Sequence, residues 1–295
     1  MKLYTVRLQN GEQKVCVENR TDPTRLHPVE EIGLKALDMN TLICGMTEEI
    51  RQRLQALSEN QCSGITKNDV RILAPIPHPL QEIICLGMNY RAHEAEAARY
   101  SADAFSGSRE KCVYFCKRVN ACQGTGAVIP GHFDLTDKLD YENELAVILG
   151  KDARDVRREE AFDYVFGYTI INDVSARDLQ TGHKQWYFGK SLDGFCPMGP
   201  CILTREDVGD PPALAIRTWI NGELRQDSCT SDLIFDIPGV LAELTRGMTL
   251  RAGTIIATGT PAGVGMGFDP PKFLHHGDVV CCEIEKIGIL ENTVE

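Results

Sequence analysis

Apolar and polar positions alternate in two short runs near the N-terminus, 2–8 and 13–18, separated by Gln9-Asn10-Gly11-Glu12. An Asn-Gly pair between β-rich runs predicts a hairpin, because both residues tolerate positive φ. The period then changes. Ile50, Leu54 and Leu57 recur at i, i+4 and i+7, which puts them on one helical face, and Thr47 stands where an N-cap is needed. Ala74-Pro75-Ile76-Pro77-His78-Pro79 cannot be helical and lacks the donors of a central strand, so it predicts a connector. A boundary between a small N-terminal domain (1–75) and a larger one (76–295) is placed there.

Beyond the connector, Ile83 to Leu86, Leu145 to Leu149, Val165 to Ile171 and Thr254 to Ala257 are short apolar runs bounded by Gly, Asp or Asn. Such runs favour buried strands over helices, so the larger domain is expected to be β-dominated within an α+β fold. The last stretch predicts two strands, 278–285 and 289–292, joined through a glycine turn at Lys286-Ile287-Gly288. No internal repeat or low-complexity tract interrupts this pattern.

Composition narrows the function. In 295 residues, 43% hydrophobic content supplies a substantial core. The formal charge of -11, with no compensating basic block, works against nucleic acid or anionic lipid as a partner. No run approaches the roughly 18 apolar residues of a membrane span. The start, Met1-Lys2-Leu3-Tyr4-Thr5-Val6-Arg7, has no apolar signal core, and the 12 cysteines are scattered without a CxxC or companion histidines. Reduced thiols and a cytoplasmic location are the expectation.

Candidate chemistry lies in the carboxylates. Asp140-Tyr141-Glu142-Asn143-Glu144-Leu145-Ala146-Val147-Ile148-Leu149 begins polar and ends apolar on both faces, as a strand entering a buried sheet should. Glu142 and Glu144 then point the same way, and two buried like charges make sense if a cation sits between them. Val165 to Ile171 runs into Asn172-Asp173, which places a third carboxylate at a strand end. Oxygen ligands without Cys or His favour hard ions, Mg²⁺ ahead of Mn²⁺ or Ca²⁺. The ordinary alternative is a solvated strand end for the two glutamates and a turn role for Asp173 ahead of Ser175.

Four segments, taken in order, resemble the signature of the fumarylacetoacetate hydrolase family: Asp140-Tyr141-Glu142-x-Glu144-Leu145-Ala146; Gly167-Tyr168-Thr169 through Asn172-Asp173-Val174-Ser175-Ala176-Arg177-Asp178-Leu179-Gln180; Gly189-Lys190-Ser191-x-Asp193 through Cys196-Pro197-Met198-Gly199-Pro200; and Thr258-Gly259-Thr260-Pro261-Ala262-Gly263-Val264-Gly265. The resemblance spans roughly residues 80 to 295. It implies a mixed β-sandwich roll with a small N-terminal α/β domain, a homodimer, and Mg²⁺ or Mn²⁺ held by Glu142, Glu144 and Asp173.

It also implies a water-activating pair. Leu86-Gly87-Met88-Asn89-Tyr90 leads to His93 and Glu96, which are neighbours at i and i+3 if the stretch is helical. Read without the resemblance, Arg91 to Arg99 is an exposed, charged helical turn. The polar stretch that follows, to about Glu110, resembles the mobile lid of family members, with the pair displaced when the site is empty. Lys190 lies among Trp186, Tyr187, Phe188 and Pro197, where burial near a metal would lower its pKa, unless it simply snorkels. Gln180 and Thr260 match positions that hydrogen-bond substrate or attacking water; otherwise they are a helix-surface and a turn residue. The run Gly259 to Gly267 lacks the ending of a phosphate loop and reads as a tight loop beside the site. One departure stands out: Lys117-Arg118-Val119-Asn120 replaces a common Lys-Pro-x-Ser segment, so contacts from that loop are not carried over.

The reaction this implies is metal-dependent hydrolysis of a carbon-carbon bond in an acylpyruvate-like 2-oxo acid. His93 would activate water, and Lys190 would stabilise the oxyanion and enolate. An isomerase or tautomerase, or a decarboxylase of a 2-oxo acid, uses the same enolate without water. A non-catalytic binder of metal or 2-oxo acid is the alternative from another class.

Overall fold

A computed structural model describes residues 1–35, 38–60, 64–101 and 110–295. An eleven-stranded mixed sheet forms its spine. From Lys2–Arg7 the order runs through Met198–Thr204, Val165–Asn172, Asn143–Leu149, Ile255–Ala257 and Ile83–Gly87 to Val113–Lys117 at the edge. The pairing of Ile255–Ala257 with Ile83–Gly87 is parallel, and those on either side of it are antiparallel. Lys2 pairs with Leu203, so the N-terminal strands extend the same sheet rather than building their own. A second, five-stranded sheet contains Ala215–Ile220, Glu223–Cys229, Val279–Ile284 and Gly288–Val294.

The alternation of side chains along Asn143–Leu149 divides the interior in two. Leu145, Val147 and Leu149 enter a core shared with Ile216, Ile220, Val280 and Leu290 of the five-stranded sheet. Ala146 and Ile148 enter another, with Met39, Ile43, Leu54 and Leu57 from the helices Met39–Cys44 and Glu48–Ser58. Each large aliphatic side chain withdrawn from water in this way contributes about 1.5–3 kcal/mol. Thr47 caps the second helix as expected, its Oγ1 accepting from Ile50 N at 3.2 Å.

The N-terminal hairpin, Lys2–Arg7 with Gln13–Glu18, forms as predicted, but only Gly11 of the Asn-Gly pair takes positive φ (88°). Asn10 instead accepts from Glu12 N through its side chain. The last two strands are also present; the turn between them uses Lys286 at φ 65°, and Gly288 opens the following strand. The expected continuous strand from Asp140 is broken. Leu139–Asp140 pairs with Ser175–Ala176 in a separate two-stranded sheet, and the main strand starts at Asn143. The described cysteines are free thiols, and among the described residues no helix is long and apolar enough to cross a membrane.

Candidate active site

Antiparallel register assembles the carboxylates. Asn143 lies opposite Asn172, which sets Asp173 beside Glu142: Asp173 N donates to Glu142 O (2.8 Å), and Glu142 N donates to Asn172 Oδ1 (2.9 Å). Asn143 turns towards the five-stranded sheet and donates to Arg217 O, while Glu144 faces the other way. As a result Glu142, Glu144 and Asp173, all buried, bring one oxygen each within 4.8 Å of one another. The solvated alternative for these residues is excluded by their burial.

Among the described residues, three buried cations, Lys117, Arg177 and Lys190, pair with Asp140, Glu142 and Asp173 but not with Glu144. Lys190 Nζ bridges Glu142 Oε2 (2.9 Å) and Asp173 Oδ2 (2.7 Å). Arg177 binds Asp140 through Nε (2.8 Å) and Glu142 through Nη1 (2.6 Å), while its buried Nη2 has no partner among the described residues. Lys117 Nζ lies 2.8 Å from Asp173 Oδ1, an ionic contact rather than a directed hydrogen bond. Burial works to raise the Glu142 pKa, but Lys190 and Arg177 outweigh it and hold the carboxyl well below the usual range.

Glu144 is different. Among the described residues it has no salt-bridge partner, and its Oε2 only accepts from Gly259 N (2.7 Å). Burial, then repulsion from Asp173 and Glu142, push its pKa well above the carboxylate value. A buried carboxylate in want of positive charge, beside two others that share one lysine, fits a hard divalent cation. Lys190 corrects an expectation. Burial does work to lower its pKa, but Asp173 and Glu142 prevail and hold it above the ordinary lysine value.

His93 and Glu96 sit on the helix Arg91–Tyr100, both buried, with His93 Nδ1 3.0 Å from Glu96 Oε2. Their burial excludes the exposed-turn alternative for these two side chains; residues 102–109 of the suggested lid lie outside the described residues. Glu96 Oε1 accepts from Gly263 N (3.0 Å), and a Cβ at Gly267 would come within 1.7 Å of Glu96 Oε1. The glycine run thus works as a seat for this helix.

His93, Glu142, Arg177, Gln180, Lys190 and Thr260 line one cavity, closed by Leu86, Met88, Phe115, Trp186 and Met266. It has room for roughly one water. Gln180 Oε1 accepts from Arg177 Nη1 (3.1 Å), which leaves its amide nitrogen for a ligand. The single proton of Thr260 goes to Asn143 O (2.9 Å), and Gln226 Nε2 donates to its oxygen (2.8 Å). Thr260 therefore offers a ligand a lone pair at most.

Residues 82–295 match the model of the fumarylacetoacetate (FAA) hydrolase C-terminal family. The chain belongs to this family. It is 48% identical over 227 residues to the oxaloacetate tautomerase YisK of Bacillus subtilis (strain 168), covering 77% of this chain and 74% of that protein. Among solved structures it resembles the fumarylacetoacetate hydrolase of psychrophilic Exiguobacterium antarcticum (TM-score 0.83, 40% identity, 100% of this chain and 99% of that one). It also resembles maleylpyruvate hydrolase from Sphingobium sp. SYK-6, in complex with manganese(II) ion and pyruvate (TM-score 0.78, 31% identity, 100% and 98%).

Three residues of this fumarylacetoacetate hydrolase-type site escaped the sequence reading. Arg177 stood inside a recognised motif three residues before Gln180, and the need to neutralise buried carboxylates was the signal for it. Asp140 accepts from Gly265 N, Met266 N and Arg177, and so anchors the glycine loop. Lys117 ends an apolar strand, where a lysine ordinarily reads as snorkelling.

Proposed function

We propose that the protein is a divalent-metal-dependent enzyme that interconverts the keto and enol forms of a small 2-oxo acid, a short 2-oxo diacid foremost. The observation that carries this reading is His93, backed by the buried Glu96, on the same small cavity as Glu142, Arg177, Gln180 and Lys190. The ion, Mg²⁺ with Mn²⁺ or Ca²⁺ as alternatives, would be held by Glu142, Glu144 and Asp173; when bound it polarises the substrate's 2-oxo group. His93, with Nδ1 engaged by Glu96, has Nε2 left to take a proton from C3 of the keto acid. The C3–H electron pair becomes the C2–C3 double bond, the carbonyl π pair moves to oxygen, and a proton from solvent completes the enol while His93 releases the one it took to solvent. Lys190 stabilises the developing oxyanion. Arg177 Nη2 and the Gln180 amide orient the substrate carboxylate, which supplies the partner that the arginine lacks. The 48% identity to an oxaloacetate tautomerase supports this choice within the family.

Hydrolysis of a carbon-carbon bond in an acylpyruvate-like acid is the second reading, favoured by the likeness to maleylpyruvate hydrolase. In it His93 takes its proton from water instead. The deciding experiment follows loss of enol absorbance from oxaloacetate and from an acylpyruvate panel, with Mg²⁺ and with EDTA. Metal-dependent relaxation of oxaloacetate without pyruvate release supports the tautomerase. Release of pyruvate and a carboxylic acid from an acylpyruvate supports the hydrolase, and pyruvate with CO₂ from oxaloacetate marks a decarboxylase. Oxalate binding without any turnover would overturn all three in favour of a binder.

A further inference from the structure

Lys117, the last residue of the strand Val113–Lys117, is completely buried. Its three ammonium protons go to three backbone carbonyls: Val174 O (3.0 Å), Phe195 O (2.7 Å) and Lys190 O. These carbonyls belong to the segments that carry Asp173, Lys190 and the approach to the strand Met198–Thr204. The same ammonium lies 2.8 Å from Asp173 Oδ1 without aiming a hydrogen bond at it, which supplies charge and leaves the oxygen's lone pairs open. The residues after it reinforce the join: Arg118 N donates to Ser191 Oγ (3.1 Å) and Asn120 Nδ2 to Asp193 Oδ1 (3.2 Å). A buried ammonium is tolerated only when its donors are satisfied, so this one holds three loops at fixed spacing. Arginine, planar and forked, cannot reproduce a three-carbonyl tripod.

We propose that Lys117 is a positioning residue for the metal centre, fixing Asp173 and the backbone of Lys190 relative to Glu142. The inference rests on the reading of Glu142, Glu144 and Asp173 as metal ligands. Two roles for Lys117 predict opposite signs. If it acted only as a nearby positive charge, removing it would tighten the binding of a cation. If it positions Asp173, removing it weakens binding.

The test is Mn²⁺ titration of metal-free protein, with free Mn²⁺ read by electron paramagnetic resonance, for wild type, Lys117→Met and Lys117→Arg. Near-ultraviolet circular dichroism establishes that each variant is folded. The expected result is wild-type binding with at least tenfold weaker affinity in both variants. Affinity that is unchanged or tighter in folded Lys117→Met overturns the proposal. Absence of Mn²⁺ binding by the wild type removes the metal reading itself, and the proposal with it. If Lys117→Met does not fold, the double variant Asn120→Ala/Ser191→Ala loosens the same join at its rim. It is expected to bind Mn²⁺ at least threefold more weakly, and unchanged affinity in it overturns the proposal.

Discussion

Glu142 and Glu144 are two positions apart and both buried, yet substituting them should move stability in opposite directions. Glu142 is bound by Lys190 and Arg177, so Glu142→Ala leaves two buried cations short of a partner. The metal-free fold is expected to lose about 3–5 kcal/mol in urea unfolding, and turnover is not restored by added Mg²⁺. Glu144 is repelled by its neighbours, so Glu144→Gln should stabilise the metal-free fold by about 1–3 kcal/mol while weakening Mn²⁺ binding at least tenfold. Its raised pKa also sets a pH dependence. The folded metal-free protein retains a proton on Glu144 that the unfolded chain loses near its ordinary pKa, so this contribution to stability falls as pH rises from there through the folded value. Metal binding displaces that proton, and the gap in Tm between Mn²⁺-loaded and EDTA-treated protein is expected to widen with rising pH across this window. A gap that narrows or stays constant would contradict the assignment.

At the scale of elements, the site depends on how closely the helix Arg91–Tyr100 docks on the glycine loop. Its first turns carry His93 and Glu96, and Met88, Ala97, Val264 and Met266 pack together beneath it. A methyl group at Gly267 would overlap the Glu96 carboxylate, so Gly267→Ala is expected to tilt the pair rather than unfold the protein. Turnover should drop at least tenfold with Tm within a few degrees of wild type; a fully active variant would show that the pair needs no such seat. Helix-forming, charged residues pointed to a helical turn here, but not to one of its faces being buried. The strand Asn143–Leu149 was legible in its run from polar to apolar residues, whereas the break before it was not, because Asp140 is drawn into a different pairing by Arg177 and the glycine loop.

At the scale of the molecule, the homodimer implied by family resemblance is a proposal, and light scattering is expected to give a mass near twice the 32.7 kDa of the chain. A monomer that retains full activity would count against it. The cavity is lined from several elements at once: His93 comes from the helix Arg91–Tyr100, Phe115 from the strand Val113–Lys117, and Glu142 from the approach to the strand Asn143–Leu149. By itself, the sequence determined the strand-rich class, the hairpin, the capped helix and the three candidate ligands, because each is written in local period, turn chemistry or a short motif. Only the tertiary structure decided how charge is apportioned among them. Lys117 reaches Asp173 from a distant strand, Arg177 is brought across to Asp140 and Glu142, and whether Lys190 gains or loses its affinity for a proton depends on a contest between burial and two carboxylates that no linear spacing records.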